Sequence, residues 1–310
     1  MRFNILSGSV LLALSLFVPA IHIDAQTRQP ALAKPAAGRS VTIITEPKAA
    51  IWIDEIRRGT TDEAGLLKID KLAAGARKLR VRAVGFSEKS QVLLPAQRGE
   101  IRVQLTKTSD EAELAFQQAE ALRESGGNKP RAAELYRKAI SLRSNFPQAH
   151  VGLARLWETS APDDALEQIN EARKDAPAFV EASVVEGRIL RTDGDIDGAI
   201  KAFKRALRES KNFNPEAHTG LALAYKDQNN NEAAIAEFKI AIAQNSDAEP
   251  VLYQLIAETY NQANRRKEAI AAYEKFLQVA PNHNEASAVR SIIEQLKKQT
   301  SSDVVELMPQ

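Results

Sequence analysis

Four histidines, a cluster of aspartates and a series of arginines are the residues of this chain whose types and spacing invite a chemical reading. Asp193, Asp195 and Asp197 followed by Gly198 reproduce the first half of a calcium loop, acidic at the first, third and fifth places with Gly at the sixth. The twelfth place, where such a loop needs a carboxylate, is Lys204, a cation that opposes metal binding. A turn between two helices accounts for the stretch better: Gly194 is free to take positive φ, and Asp197 is placed to cap the next helix. His150 and His218 occupy equivalent places in the strings Ala149-His150-Val151-Gly152-Leu153-Ala154 and Ala217-His218-Thr219-Gly220-Leu221-Ala222, 68 residues apart. Internal repetition explains them better than zinc, whose short bonds cannot span two stacked repeats. His283 falls in a loop and His22 in a segment expected to be removed. No G-x-S-x-G, Walker loop, dinucleotide fingerprint or helical H-E-x-x-H occurs. The expectation is therefore no catalytic residue, no metal, no cofactor and no enzymatic activity.

The arginines take their meaning from the elements that position them. From Glu111 to Pro281 a pattern of an Ala, a bulky residue four on and a small residue three further returns: Ala132, Tyr136, Ala139; Ala165, Ile169, Ala172; Ala199, Phe203, Ala206; Ala234, Phe238, Ala241. A fifth copy is Ala269, Tyr273, Phe276. The first alanines are 33, 34, 35 and 35 residues apart, the period of a helix-turn-helix repeat. Twelve residues before most of them stands another small residue, Gly187, Ala222 or Ala257, with Leu190, Tyr225 or Tyr260 three places on, so each repeat is two helices. Small residues let helices approach to about 8–10 Å while the ring fills the space beside the crossing point.

This pattern, with Pro177 and Pro281 at closing positions, resembles the tetratricopeptide repeat. Repeat two is one residue short in its internal turn, and repeat one is one long around Gly126, Gly127 and Asn128. The resemblance implies five repeats over 109–283, forming a concave face from the first helix of each pair, where a partner's extended peptide or helix binds. Counting from the packing residues places on that face Phe116 and Arg123; Val151, Arg155 and Glu158; Val184, Arg188 and Arg191; Thr219, Leu223 and Lys226; and Gln254, Glu258 and Asn261. Arg155, Arg188, Arg191 and Lys226 would make its middle basic. Two readings follow: a carboxylate-bearing peptide held by bidentate arginine, or arginines that pair locally with Glu158, Glu181 and Glu216. The family's clamp for the Hsp90 tail is unmatched, since the first-repeat positions hold Phe116 and Glu120.

Between Val41 and Thr106 the helical period gives way to short β-branched or alternating runs at Val41 to Thr45, Ala50 to Asp54, Leu79 to Val84, Gln91 to Leu94 and Ile101 to Leu105. Breaks at Pro47, Arg58-Gly59-Thr60, Asp62 to Gly65, Ala74-Gly75, Gly85 and Arg98-Gly99 suit a compact antiparallel sandwich over 41–106. The order of Pro47, Ala50, Asp54, Gly59, Thr60, Leu72, Gly75, Val81, Gly85 and Phe86 resembles the PEGA domain, although Lys48 and Ala49 stand in place of its Glu and Gly and Glu55 where that family usually has Gly. Trp52 lies between Ile51 and Ile53, so either it or both isoleucines face the core; exposed, it could stack on a sugar.

The fold class expected is thus α+β in two separate domains, a small antiparallel β-sandwich followed by an all-α solenoid. The 42 Lys plus Arg against 40 Asp plus Glu offer no electrostatic case for nucleic acid. Residues 1–25, with Arg2, an apolar run from Val10 to Phe17 and Ala25 before a cleavage point, read as an export signal, too short for a membrane span. A Pro- and Ala-containing leader follows over 26–40, and no Cys is available for lipidation or disulfides. A capping helix is expected over 284–299 and a loose tail over 300–310. Together these point to an exported, non-catalytic binding protein of the cell envelope or periplasm, with another protein as partner. The alternative is a sandwich that binds cell-wall or surface glycan, carried on a rigid helical spacer.

Overall fold

A computed structural model describes residues 39–72, 75–245 and 247–306. The expected export signal over 1–25 lies outside the described residues, as does the leader except Arg39 and Ser40, which open the first strand. Among the described residues seven strands come first: β1 (Arg39–Ile44), β2 (Ala50–Ile53), β3 (Ile56–Thr60), β4 (Leu66–Leu72), β5 (Arg77–Arg82), β6 (Lys89–Leu93) and β7 (Gly99–Arg102). They form two sheets, in the orders β4-β1-β7 and β3-β2-β5-β6. Alternation decides the faces: Val41 and Ile43 of β1, Ile51 and Ile53 of β2, and Leu79 and Val81 of β5 point into one shared core.

Two features depart from the sequence reading. The strands β3 and β4 were not expected, and Arg58-Gly59-Thr60, read as a break, lies in β3. A two-residue turn at Asp54 and Glu55, both with positive φ, folds β3 back so that Ile53 pairs with Ile56. Backbone pairing then makes a strand of residues with no apolar alternation. The sandwich is also not wholly antiparallel, because β1 and β7 run parallel from Val41 opposite Gly99 to Ile44 opposite Arg102.

Eleven helices follow among the described residues: α1 (Glu111–Glu124), α2 (Lys129–Leu142), α3 (Pro147–Trp157), α4 (Pro162–Asp175), α5 (Val180–Asp193), α6 (Ile196–Glu209), α7 (Pro215–Asp227), α8 (Asn231–Asn245), α9 (Val251–Gln262), α10 (Arg266–Val279) and α11 (Ala286–Glu306). The first ten pair into five hairpins and α11 packs on α10. All fifteen residues of the small-bulky-small pattern are at most 3% exposed. Starts are set by side chains that satisfy free amides: Asp110 accepts from the amides of Ala112 and Glu113, Asn128 from Arg131, and Asn214 from Ala217. In α11, Val289, Ile293 and Leu296 cover the end of the last core, and the helix continues to Glu306, past Gln299 where the expected cap ends.

At the turn between α5 and α6, Gly194 ends α5 in the left-handed region (φ 93°). The cap of α6 is Asp195, whose Oδ1 accepts from the Gly198 amide at 2.9 Å, and not Asp197 as the spacing suggested. Only one residue separates Gly194 from α6, so the cap falls two positions earlier. Asp197 instead accepts from Gln228 Nε2 at 2.8 Å, tying this repeat to the next.

Helices approach closely where the Phe203 ring lies between Gly187 and Gly220. A Cβ on Gly220 would meet Phe203 Cε1 at 2.3 Å, and one on Gly187 would meet it at 2.7 Å. Gly220→Ala is therefore expected to destabilise the array by about 1–3 kcal/mol through overpacking, read as a lower urea midpoint in the helical circular dichroism signal. An unchanged midpoint would contradict the close approach.

Candidate functional site

The first helices α1, α3, α5, α7 and α9 carry the residues expected on the concave face. From α3 to α9 their charged residues form a ladder, each of these helices paired to a neighbour. Arg155 Nη1 meets Glu181 Oε1 at 2.6 Å, Arg188 Nη1 meets Glu216 Oε1 at 2.9 Å while its Nη2 pairs with Glu158, Arg191 Nε meets Asp227 Oδ2 at 2.6 Å, and Lys226 Nζ meets Glu258 Oε2 at 3.1 Å. Burial alone would lower the pKa of Arg155, but Glu181 and Glu216 more than offset this and hold it above the ordinary value. The expected basic centre is thus neutralised within the array, favouring the local-pairing reading. Each such pair is worth about 0–1 kcal/mol where water reaches it, but each also fixes the spacing of neighbouring first helices.

Other expected residues scatter. Val151 is a correction: 1% exposed, it packs among Ala154, Ala165 and Ile169 in the core and does not line the face. Leu223 is half-buried against the core of the last repeats, and Thr219 donates to the Pro215 carbonyl within its own helix at 2.8 Å. Gln254 Oε1 is buried without a hydrogen-bond partner among the described residues. His150 Nδ1 lies 2.8 Å from Gln168 Oε1 and His218 Nδ1 lies 2.6 Å from Glu237 Oε2, so the repeated histidines each tie a first helix to its own second helix.

The sandwich supplies the opposite wall. Trp52 is neither in the sandwich core nor exposed. It points away from Ile51 and Ile53, yet only 7% of it is accessible, because the guanidinium groups of Arg80, Arg82 and Arg57 cover its ring at 4.2, 5.0 and 5.6 Å. Arg82 also lies 5.4 Å from the Phe116 ring and bonds Glu120 Oε2 at 3.1 Å, and Arg57 pairs with Glu124. Glu120 is the centre of this contact, since Arg123 and the Tyr136 hydroxyl also donate to it. Burial would raise its pKa, but Arg123, Arg82 and Tyr136 together bring it down to about 2. The Tyr136 phenol moves up, through burial and the adjacent Glu120.

Between these walls lies a cavity of about 1090 Å³. Of the residues expected on the concave face, Phe116, Arg123, Arg155, Val184 and Arg188 line it, whereas Glu158, Arg191, Thr219, Leu223, Lys226, Gln254 and Glu258 do not. The sequence reading missed Phe146, Phe179 and Phe213, which stand one repeat apart just ahead of α3, α5 and α7 and line the cavity as a row. Phe146 is 4% exposed and Phe213 37%, so the row opens toward the later repeats. Its signal was present in the repeat period but lies outside the small-bulky-small pattern. Among the described residues no group of His, Asp and Glu is placed to hold a metal ion, and no helix is long and apolar enough to cross a membrane.

Models of the tetratricopeptide repeat match residues 155–215, 190–258 and 251–283. No curated protein matches the chain. Similar solved structures include a thermophilic TPR protein of Thermus thermophilus, 22% identical with a TM-score of 0.50, covering 60% of this chain and 98% of that one. The type IV pilus biogenesis factor PilW is 15% identical with a TM-score of 0.53, covering 64% of this chain and 95% of its own. PilF of Pseudomonas aeruginosa is 17% identical with a TM-score of 0.50, covering 61% and 91%. At these identities the likeness is one of fold.

Proposed function

We propose, from an array of tetratricopeptide repeats facing a sandwich wall across a cavity, that this chain is a non-catalytic scaffold binding a peptide or helical segment of another protein. The compartment we assign is the bacterial periplasm or cell envelope, on the strength of the expected export signal, and the sandwich we read as a PEGA-like module. The observation that carries the binding role is the two-walled cavity itself, with a row of phenylalanines along a face whose charges are already paired. A paired face does not call for a strongly acidic ligand, so apolar side chains meeting Phe179 and Phe213 supply the affinity and the polar ladder fixes direction. Trp52, which a glycan-binding sandwich would offer as a stacking platform, is covered.

A photo-crosslinking residue placed at Arg188 should capture a discrete partner in the native envelope. The same residue at Lys201, exposed on the second helix α6, should not. Equal capture from both positions, or none from Arg188, would overturn the assignment. Replacing Arg155 and Arg188 together by Ala is expected to weaken capture severalfold while costing about 1–2 kcal/mol of stability in lost ion pairs, measured by pull-down beside thermal melting.

A further inference from the structure

Contacts between the sandwich and the repeats fall at α1 and at the end of α8. At α1 they are many: the ion pairs of Arg57 and Arg82 with Glu124 and Glu120, and a reciprocal pair in which Gln117 Oε1 accepts from the Gly85 amide at 2.9 Å while Gln117 Nε2 donates to the Phe86 carbonyl at 2.7 Å. The strand-to-helix connection is tied to the same loop, since the Thr108 amide donates to the Gly85 carbonyl at 3.0 Å and the Ser87 amide to Thr106 at 2.8 Å. The sandwich also meets the end of α8, where Arg58 Nη1 donates to the Asn245 carbonyl at 3.1 Å. That contact is poorly satisfied. Arg58 Nε and Asn245 Oδ1 are both buried without hydrogen-bond partners among the described residues.

Buried polar atoms left unpaired cost free energy that water would return on opening. Among the described residues the apolar core of the sandwich has no member in common with the cores of the repeats; polar side chains join the two, with Arg82 stacked between Trp52 and Phe116. Interfaces of that kind permit domain motion. We propose that the sandwich is a hinged cover of the groove, anchored at α1 by Glu120, Glu124 and Gln117 and latched to the end of α8 by Arg58, and that a segment of the partner enters when the latch releases. This rests on the reading of the groove as a partner site and adds how that site is controlled. A closed cover limits access to the phenylalanine row, and a segment seated there keeps the cover from reclosing.

The chain has no cysteine, so one introduced thiol reports alone. Val180→Cys places it in the cavity wall. A small maleimide and a bulky polymer-linked maleimide are compared on this background with Arg58 intact, with Arg58→Ala and with Arg58→Lys. The bulky reagent should label slowly with Arg58 intact and about tenfold faster with Arg58→Ala, the factor expected for losing one charged hydrogen bond. Arg58→Lys, which keeps a cationic donor, should restore part of the protection, and the small reagent should label all three nearly alike. An unchanged thermal melt shows that Arg58→Ala is folded; if it is not, Arg58→Lys against the intact chain still gives a ratio above one. Equal labelling by the two reagents with Arg58 intact, or no acceleration in either variant, would overturn the cover. Accelerated labelling with no partner captured from Arg188 leaves the cover standing and removes the scaffold reading. Capture with unaccelerated labelling does the reverse.

Discussion

Phe203→Ala is expected to cost the helical array about 3–5 kcal/mol. The ring is fully buried between Gly187 and Gly220, two residues with no side chain to swing into the space it would leave. The cavity would therefore persist, and the penalty for lost contacts would add to the transfer free energy of the ring. Repeats are stabilised by their neighbours, so the damage should appear as a loss of cooperativity as well as a lower midpoint. Urea unfolding followed by helical circular dichroism should separate into two transitions, with α5, α6 and α7 exchanging their amide protons first. Phe203→Leu, which fills part of the space, should lose about half as much. A single unshifted transition in the alanine variant would show that the ring is not what joins these repeats.

The second large effect is expected at Glu120. Its carboxylate is 8% exposed and receives Arg82, Arg123 and Tyr136 together. Glu120→Ala leaves two guanidinium groups and a phenol around an apolar methyl, and breaking a buried pair in this way costs about 3–5 kcal/mol. The same site predicts a pH dependence. The carboxyl is held at about 2 in the folded chain against an ordinary 4.5. Its contribution is fully present above the unfolded value and is lost as pH falls from about 4.5 towards 2. Linkage makes that contribution about 3 kcal/mol. Melting temperatures should fall through this window in the parent chain and fall less in Glu120→Gln, which titrates no proton there. Parallel slopes in the two proteins would remove Glu120 from the account. Because Arg82 belongs to the sandwich and Glu120 to α1, the same acidification should loosen the sandwich from the array.

The helical part was legible because its core has a period. A stacked array packs each hairpin only on its neighbours, so the alanine and ring positions that touch in space are also regular in sequence. Tyr136, Phe203 and Phe238 were identified from spacing alone and are fully buried. The phenylalanines ahead of α3, α5 and α7 carry the same period but stand outside the helices, where the small-bulky-small pattern does not reach. In the sandwich, alternation revealed strands with one apolar face, such as β1 and β5. It could not reveal β3, whose residues Arg57, Arg58 and Gly59 become a strand through backbone pairing with β2.

By itself the sequence determined the class of each half, the helix count per repeat and which first helices carry the cations. The tertiary structure decided what those residues do there. Arg155, Arg188, Arg191 and Lys226 could have met a ligand or each other's neighbours, and only the stacking distance between first helices brings Glu181, Glu216, Asp227 and Glu258 within reach. The placement of the sandwich over the groove was equally hidden. Its contacts join residues 38, 67 and 187 positions apart, through Arg82 with Glu120, Arg57 with Glu124 and Arg58 with Asn245. None of these residues lies on an apolar period. Long polar side chains pair wherever the folded backbones bring opposite charge within a few ångströms, and that proximity exists only once both domains have formed.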